Sequence, residues 1–462
     1  MKKAPWIAFA LMLLLPVCLF AQSSHMNNKG WRAGVAKQVI TPKEPLWMAG
    51  FASRTEPSKG TLHDLWIKAL ALEDAEGNQS VLVTSDLLGI PKDLSDRIRE
   101  RLKAAHELEK SQIILNSSHT HSAPVLSHSL SDIYPMKEPD LEAVKKYSDE
   151  LVEQIVTLVG QSLERLEPAD VFAQNGVARF QVNRRNNSAQ HLERLTELSG
   201  PMDPAVPVLK VVNSSGDLMA IAFGYACHPT VLGDYEWSGD YPGFAQMELE
   251  KLYPGTTALF FQGAGADQNP LPRHTVPLAI QYGKTLAAAV ERVLSEDMKQ
   301  LEPKIRTAYA EVELPLTKAP TSAELTDYIN KSSGYQQQWA KRLLARLEAG
   351  EKFETSYPYP VQVWNLGDHP IFTLGGELVV EYAIELKRVF GQHAFVMGYS
   401  NDVMSYIPTT TILREGGYEG ATAQMVYGLP STWGSDSEIM ILHRLVQLAK
   451  EAEVPQPEEK LF

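Results

Sequence analysis

Four short apolar runs in this chain each break off into a polar segment punctuated by glycine or proline, a pattern that constrains the fold more than any other feature. Ile113-Ile114-Leu115 runs into Asn116-Ser117-Ser118-His119-Thr120-His121-Ser122, and Ile221 to Ala226 runs into Cys227-His228-Pro229-Thr230. Leu259-Phe260-Phe261 is followed by Gln262-Gly263-Ala264-Gly265-Ala266-Asp267-Gln268-Asn269-Pro270, and Phe372-Thr373-Leu374 by Gly375-Gly376-Glu377. Short apolar runs bounded by turn residues are the mark of buried strands. In sheets covered by helices, sites are built at the carboxyl ends of strands. The pattern therefore predicts that two histidine clusters, a carboxylate and Asp267 converge at one end of a sheet.

The intervening segments supply the helices. Strands are expected at Ile67 to Leu72 and Val81 to Thr84 around the turn Glu76-Gly77-Asn78, then a helix around Leu94 to Leu108. Leu141 to Leu166 places Val144, Leu151, Ile155, Leu158, Val159 and Leu163 on one face, as a long amphipathic helix does. Asn213-Ser214-Ser215-Gly216 separates Val206 to Val212 from Leu218 to Ala226 and predicts a hairpin. Pro277 to Leu294 is a predicted helix, and Thr321 with Glu324 forms a capping box before a helical region running to Leu347. Val361 to Leu366 pairs with Pro370 to Leu374, ahead of helices at Leu378 to Val389 and Glu438 to Lys450. Interspersed strands and helices predict an α/β fold, a mixed β-sheet core flanked by helices.

Composition excludes several classes of function. Lys plus Arg number 43 against 56 Asp plus Glu, a net charge of -13, so the surface repels phosphate backbones and nucleic-acid binding is not expected. The apolar run Trp6 to Phe20 follows Lys2 and Lys3 and precedes Ala21-Gln22-Ser23-Ser24. It is short and contains Pro16, which favours a signal peptide over residues 1–21 rather than a transmembrane anchor. The expectation is a secreted or periplasmic protein, one catalytic domain over 22–462, with a small-molecule or lipid substrate. Removing the leader takes Cys18 with it and leaves Cys227 alone, so no internal disulfide is expected. The oligomeric state is open.

Taken singly, the polar residues admit two readings each. His119 and His121, two apart on an extended backbone, would share a face as metal ligands do, or be hydrogen-bonded core residues. With His228 added, neutral imidazoles and one carboxylate match a catalytic zinc site, whereas a structural site would need cysteines. Glu377 is either that carboxylate or an acid favoured at a helix N-terminus. Cys227 points away from His228 if the strand continues, which makes it a buried small residue rather than a nucleophile. Asn183-Arg184-Arg185-Asn186 is a cluster that can hold a carbonyl or anionic group, or a solvated loop. Asp240 can cap a helix, and Gly417-Tyr418-Glu419-Gly420 is an aromatic loop.

From about Gly34 to Val454 the chain resembles the neutral/alkaline, non-lysosomal ceramidase family in its catalytic domain. The carrying segments are His119-Thr120-His121-Ser122-Ala123-Pro124, Ala226-Cys227-His228-Pro229-Thr230 and Gly376-Glu377. Further on stand Gly398-Tyr399-Ser400-Asn401, Tyr406-Ile407-Pro408-Thr409 and Tyr418-Glu419-Gly420-Ala421. The resemblance implies zinc held by His119, His228, Glu377 and Tyr406, with His121, Arg184 and Tyr418 around the scissile amide. It implies hydrolysis of an N-acyl sphingoid lipid by a zinc-activated water; the general base stays open between Asp267 and His121. Two departures stand out. Asn269 occupies the place of a serine implicated in ceramide hydrolysis, and an amide cannot be an acyl-accepting nucleophile. The chain also reaches Phe462 without the immunoglobulin-like domain that ceramidases carry at the C-terminus. These departures leave room for a polar, carbohydrate-linked ester or amide as substrate, or for a metal-dependent binding protein without turnover.

Overall fold

The computed structural model describes Met1 and residues 30–130, 132–187 and 197–455. The expected leader falls, apart from Met1, outside the described residues. The first sheet is built from β1 (Trp31–Val39), β2 (Trp66–Glu73), β3 (Gln79–Ser85), β4 (Ile113–Ser117), β5 (Glu167–Val177), β7 (Ala205–Asn213), β8 (Leu218–Tyr225) and β9 (Thr257–Gln262). A short antiparallel pair, β6 (Gln181–Asn183) and β10 (Gln268–Pro270), lies beside it. The order across the sheet is β9-β8-β7-β5-β1-β2-β3-β4, with β3–β4 and β8–β9 parallel and the other pairs antiparallel. The predicted hairpin at 213–216 is present as β7–β8.

The second sheet, in the order β11 (Ile305–Pro315), β12 (Ser356–Leu366), β13 (His369–Leu374) and β15 (Phe395–Met397), packs face to face on the first. The inner layer holds Trp31, Leu70, Leu82, Ile114, Leu209, Leu259 and Phe261 from one sheet against Trp364, Ile371, Phe395 and Met397 from the other. Helices close both outer faces. On the first sheet lie α1 (Lys92–His106) and α2 (Glu138–Glu164), then α3 (Asp240–Leu252) and α4 (Val276–Leu294). On the second lie α7 (Val380–Phe390) and α8 (Ser437–Glu451). The expected mixed sheet core flanked by helices is thus a four-layer αββα sandwich. Among the described residues no helix is long and apolar enough to cross a membrane.

The helical region expected from Thr321 to Leu347 is two helices, α5 (Ser322–Lys331) and α6 (Gly334–Glu348). Ser332 and Ser333 are extended, with φ -112 and -142, which breaks the helix, and Gly334 opens the second one at φ +60. The Thr321–Glu324 capping box is present.

What positions the site is how the sheet edges meet. β4 and β9 lie at opposite ends of the strand order, yet the Asn116 side chain joins them. Its Oδ1 accepts from the Gln262 N–H at 2.8 Å, and its Nδ2 donates to the Gln262 and Gly398 carbonyls at 3.3 and 2.8 Å. An amide side chain here takes the place of a backbone peptide and satisfies groups that edge strands leave open. The carboxyl ends of β4, β8, β9 and β13 therefore open onto one place.

Candidate metal centre

His119 follows β4 after a turn, with its own φ at +66, so the extended backbone expected for His119–His121 is not what aligns the two rings. The loop does it: the His119 N–H donates to Leu87 O at 2.9 Å and Nδ1 lies 2.6 Å from Leu88 O. His228 follows β8, and its Nδ1 lies 2.7 Å from Gly265 O. A carbonyl only accepts, so in both rings Nδ1 carries the proton and Nε2 presents a lone pair. Both residues are 1% exposed.

Glu377 begins the two-residue strand β14 (Glu377–Leu378), which pairs in parallel with β16 (Tyr406–Ile407). Gly376 has φ +67, and a Cβ there would stand 2.6 Å from the Ser405 carbonyl, so glycine is required for this approach. Glu377 Oε2 lies 3.2 Å from Nε2 of both His119 and His228 and has no hydrogen-bond donor. Three acceptors facing one another in a dry pocket repel unless a cation sits among them. Burial, then hydrogen bonding and charge around it, leaves His228 at about 4.

His121 completes a group with His119 and His228 whose ligand atoms lie within 4.8 Å of one another and which can hold a metal ion. Its Nε2 is 3.2 Å from His119 Nε2, and its Nδ1 is buried without a partner. Burial, then the two neighbouring histidines, pushes its pKa well below 6.5. The ring packs edge-on against Phe51 at 4.8 Å and over Gly50, where φ is +102 and any Cβ would overlap the imidazole. Arg54, 3% exposed, clamps this corner by donating to the carbonyls of Ala49, His121 and Asp234 at 2.7, 2.6 and 2.9 Å.

The Tyr406 hydroxyl lies 3.4 Å from His228 Nε2 and accepts from Arg184 Nη2 at 3.1 Å. Arg184 is held by Glu419, which accepts from its Nε at 2.8 Å and from Arg185 Nη1 at 2.7 Å. The guanidinium lies over the rings of Tyr406 and Tyr418 at 5.6 and 5.7 Å. Tyr418 is 40% exposed and forms the rim.

Asp267 is fully buried. Its Oδ1 accepts from the Val380 N–H at 2.9 Å, at the start of α7, and its Oδ2 from Asn183 Nδ2 at 3.0 Å, while its carbonyl accepts from the Arg184 N–H at 2.8 Å. One carboxylate thus ties the Arg184 segment to the helix that follows Glu377. Asn269 lies on β10, with Oδ1 buried and unpartnered. Cys227 sits in the apolar layer under α3 and α4, as its place beside His228 suggested. Asp240 opens α3, and its carboxylate accepts from the Tyr241 and Leu232 N–H groups at 2.7 and 2.8 Å.

Two more residues, to which the sequence assigned no role, belong to this site. The Tyr427 hydroxyl donates to Glu377 Oε1 at 2.5 Å, and the buried Tyr399 ring lies 4.5 Å from His119. Nothing in the local sequence of Tyr427 marks it. Tyr399 lies within the Gly398–Asn401 segment but had no role there.

Residues 31–269 match the family model described as neutral/alkaline non-lysosomal ceramidase, N-terminal. The chain belongs to that family. The ceramidase match includes His119, His121, Arg184, His228 and Asp267 and stops ahead of Glu377 and Tyr406. A curated relative, neutral ceramidase 1 of Arabidopsis thaliana, is 24% identical over 260 residues, which is 55% of this chain and 32% of that protein. The chain thus spans about a third of the length of the curated relative it matches. The crystal structure of neutral ceramidase from Pseudomonas aeruginosa superposes with a TM-score of 0.72 at 20% identity, covering 94% of this chain and 76% of that one. A ceramidase structure complexed with C2 gives 0.70 at 18% identity, covering 94% and 77%. The ceramidase fold is therefore that of this chain.

Proposed function

We propose that this chain is a zinc-dependent hydrolase of a linear amide, with an N-acyl sphingoid lipid as substrate class, exported by the leader at residues 1–21. The observation that carries the reading is the facing of Glu377 Oε2 with the Nε2 atoms of His119 and His228 at 3.2 Å, with no donor between them. Family membership and the likeness to neutral ceramidases, one of them complexed with C2, support the amide substrate. His119, His228, Glu377 and Tyr406 would hold the ion. Zinc there would supply Lewis-acid chemistry, polarising a carbonyl and acidifying water.

The chain's own residues divide the remaining work. Leu88 O and Gly265 O accept from the two Nδ1–H groups, which fixes the orientation of each ring and aims its Nε2 into the site. Glu419 and Tyr406 engage Arg184 through Nε and Nη2, and its Nη1 remains the donor for a developing oxyanion. His121, neutral at pH 7 in this burial, moves the proton toward the leaving amine. Asp267, with both oxygens already bonded, is a positioning residue for Arg184 and Glu377 rather than the base. Asn269 orients substrate without attacking it.

The test is release of fatty acid from a short-chain N-acyl sphingosine by the zinc-loaded protein. Turnover that is lost on chelation, regained with zinc and absent in Glu377→Ala is expected. Zinc-loaded protein that cleaves acetylated or methyl-esterified sugars but not the amide would overturn the substrate class, and cleavage of neither would overturn the hydrolase reading.

A further inference from the structure

The three histidines at this centre are not held alike. The rings of His119 and His228 are each aimed by a carbonyl that accepts from Nδ1–H, Leu88 O at 2.6 Å and Gly265 O at 2.7 Å. Among the described residues the His121 ring has no such partner: its Nδ1 is buried and unbonded, and its Nε2 faces His119 Nε2 at 3.2 Å. Its backbone N–H makes a long bond of 3.4 Å to Pro229 O. Where this imidazole points is therefore decided by the backbone that carries it and by the walls formed by Phe51 and Gly50.

That backbone is clasped on both sides by one residue of a distant segment. Thr120, just before His121, donates from Oγ1 to Ser238 O at 2.7 Å, and the carbonyl of Ser122, just after it, accepts from the Ser238 N–H at 3.1 Å. The same Thr120 Oγ1 accepts from the Ser122 N–H at 3.2 Å, which closes the turn across His121. Thr120 and Ser238 are fully buried, so water does not compete for these bonds. Ser238 is fixed in turn. Its Oγ accepts from the Asp240 N–H at 3.0 Å and lies 2.9 Å from His63 Nε2. His63 Nδ1 lies 3.2 Å from Asp64 O, so Nδ1 carries the proton and Nε2 accepts from the serine. Asp240, at φ +55, reaches the other histidine loop by accepting from the Leu232 N–H, four residues beyond His228. One short stretch, residues 238–240, thereby sets the loop of His121 against the loop of His228.

We propose that Thr120 and Ser238 are positioning residues for His121, holding its imidazole where it passes a proton to the leaving amine, and that they govern the chemical step without governing metal binding. His119 is independent of the clasp because its N–H and its ring are tied to Leu87 O and Leu88 O. This rests on the amide-hydrolase reading and deepens it, since it separates the residues that set the rate from those that hold the ion. A shift of about 1 Å at a group that must meet the reacting atoms costs up to about 100-fold in rate, so a clasp of three hydrogen bonds around an otherwise unbonded imidazole has a measurable consequence.

The experiment is a double-mutant cycle on the zinc-loaded full chain with a short-chain N-acyl sphingosine. Thr120→Val keeps the shape of the side chain and removes its hydroxyl. Its kcat is expected to fall at least about tenfold with KM within about twofold of wild type, as for an interaction made in the transition state. Thr120→Ser keeps the hydroxyl and should bring kcat back to within about threefold of wild type. In a His121→Ala background Thr120→Val should change kcat by less than about twofold, because the group it positions is gone. Zinc affinity, read by competition with a fluorescent chelator, should stay within about threefold of wild type in both Thr120 variants. Ser238→Ala removes the hydroxyl that fixes Ser238 and leaves its backbone groups in place; it should lower kcat at least about threefold and carries the same cycle if Thr120→Val does not fold. Loss of kcat by the same factor with and without His121, loss of zinc affinity, or a Thr120→Ser protein no better than Thr120→Val would overturn this inference while leaving the hydrolase reading intact. Wild-type kcat in His121→Ala would overturn it together with the proton-transfer role of His121. Absence of amide turnover in the wild-type protein would overturn both readings.

Discussion

Replacing Tyr427 by phenylalanine removes one hydroxyl and leaves the ring that packs beside the metal centre. In the native chain that hydroxyl donates to Glu377 Oε1 at 2.5 Å, while Oε2 faces His119 and His228. The carboxylate is 3% exposed, so water does not replace the lost donor. A hydrogen bond to a buried charged acceptor contributes about 1.5–3 kcal/mol. At about 1.4 kcal/mol per decade, that is roughly 10- to 100-fold in the affinity of any cation whose binding depends on Glu377 being oriented. Competition of the purified variant against a fluorescent zinc chelator at pH 7.5 measures it directly. Weakening within that range supports the second contact as part of the site. A Tyr427→Phe protein that binds zinc within about threefold of wild type would refute the reasoning, because Glu377 would then be oriented by something else.

Two further outcomes follow from packing and burial. Gly50→Ala forces a side chain into the His121 ring at φ +102, so kcat should fall at least about tenfold while zinc content, set in the proposed site by His119, His228, Glu377 and Tyr406, stays at the wild-type level in parallel elemental analysis. His369, buried at the start of β13 with Nε2 unpartnered, is depressed to about 3 by burial first and then by His393 and Lys299. Unfolded His369 binds a proton below about 6.5. The unfolded chain therefore holds more protons between pH 6.5 and 3, and stability falls as pH drops through that window. His369→Phe should flatten this acid limb by up to about 1.4 kcal/mol per pH unit in urea titrations, and an unchanged slope would show that the imidazole is protonated in the fold.

Strands that are buried on both faces were legible because their apolar runs are continuous: Ile113–Ser117, Thr257–Gln262 and the β7–β8 hairpin appear where expected. The long strands Trp31–Val39, Glu167–Val177 and Ile305–Pro315 were not. The first is broken by Arg32, Gly34 and Lys37, the second contains Pro168 and Asn175-Gly176, and the third buries only Ile305, Ala308 and Leu314. A half-exposed strand tolerates such residues, so its period fades. The site was legible to the extent that its residues follow strands. His119, His228, Asp267 and Glu377 do so, and the Asn116 bridge between edge strands brings their ends together. Tyr427 reaches Glu377 50 positions away, and Arg54 reaches His121 and Asp234 67 and 180 positions away, contacts that no local pattern encodes. Tyr406 reached the candidate set through family resemblance, since a tyrosine on a two-residue strand carries no signal of its own. The role of Asp267 depended on both its oxygens, and only the fold shows where their donors lie.

His119, His228, Glu377 and Tyr406 converge on one place, the proposed metal centre. Elemental analysis of the purified mature protein, beside His119→Ala, tests it most directly. Close to one zinc per chain is expected, lost in the variant. A wild-type protein that holds no metal after zinc loading and desalting would contradict it.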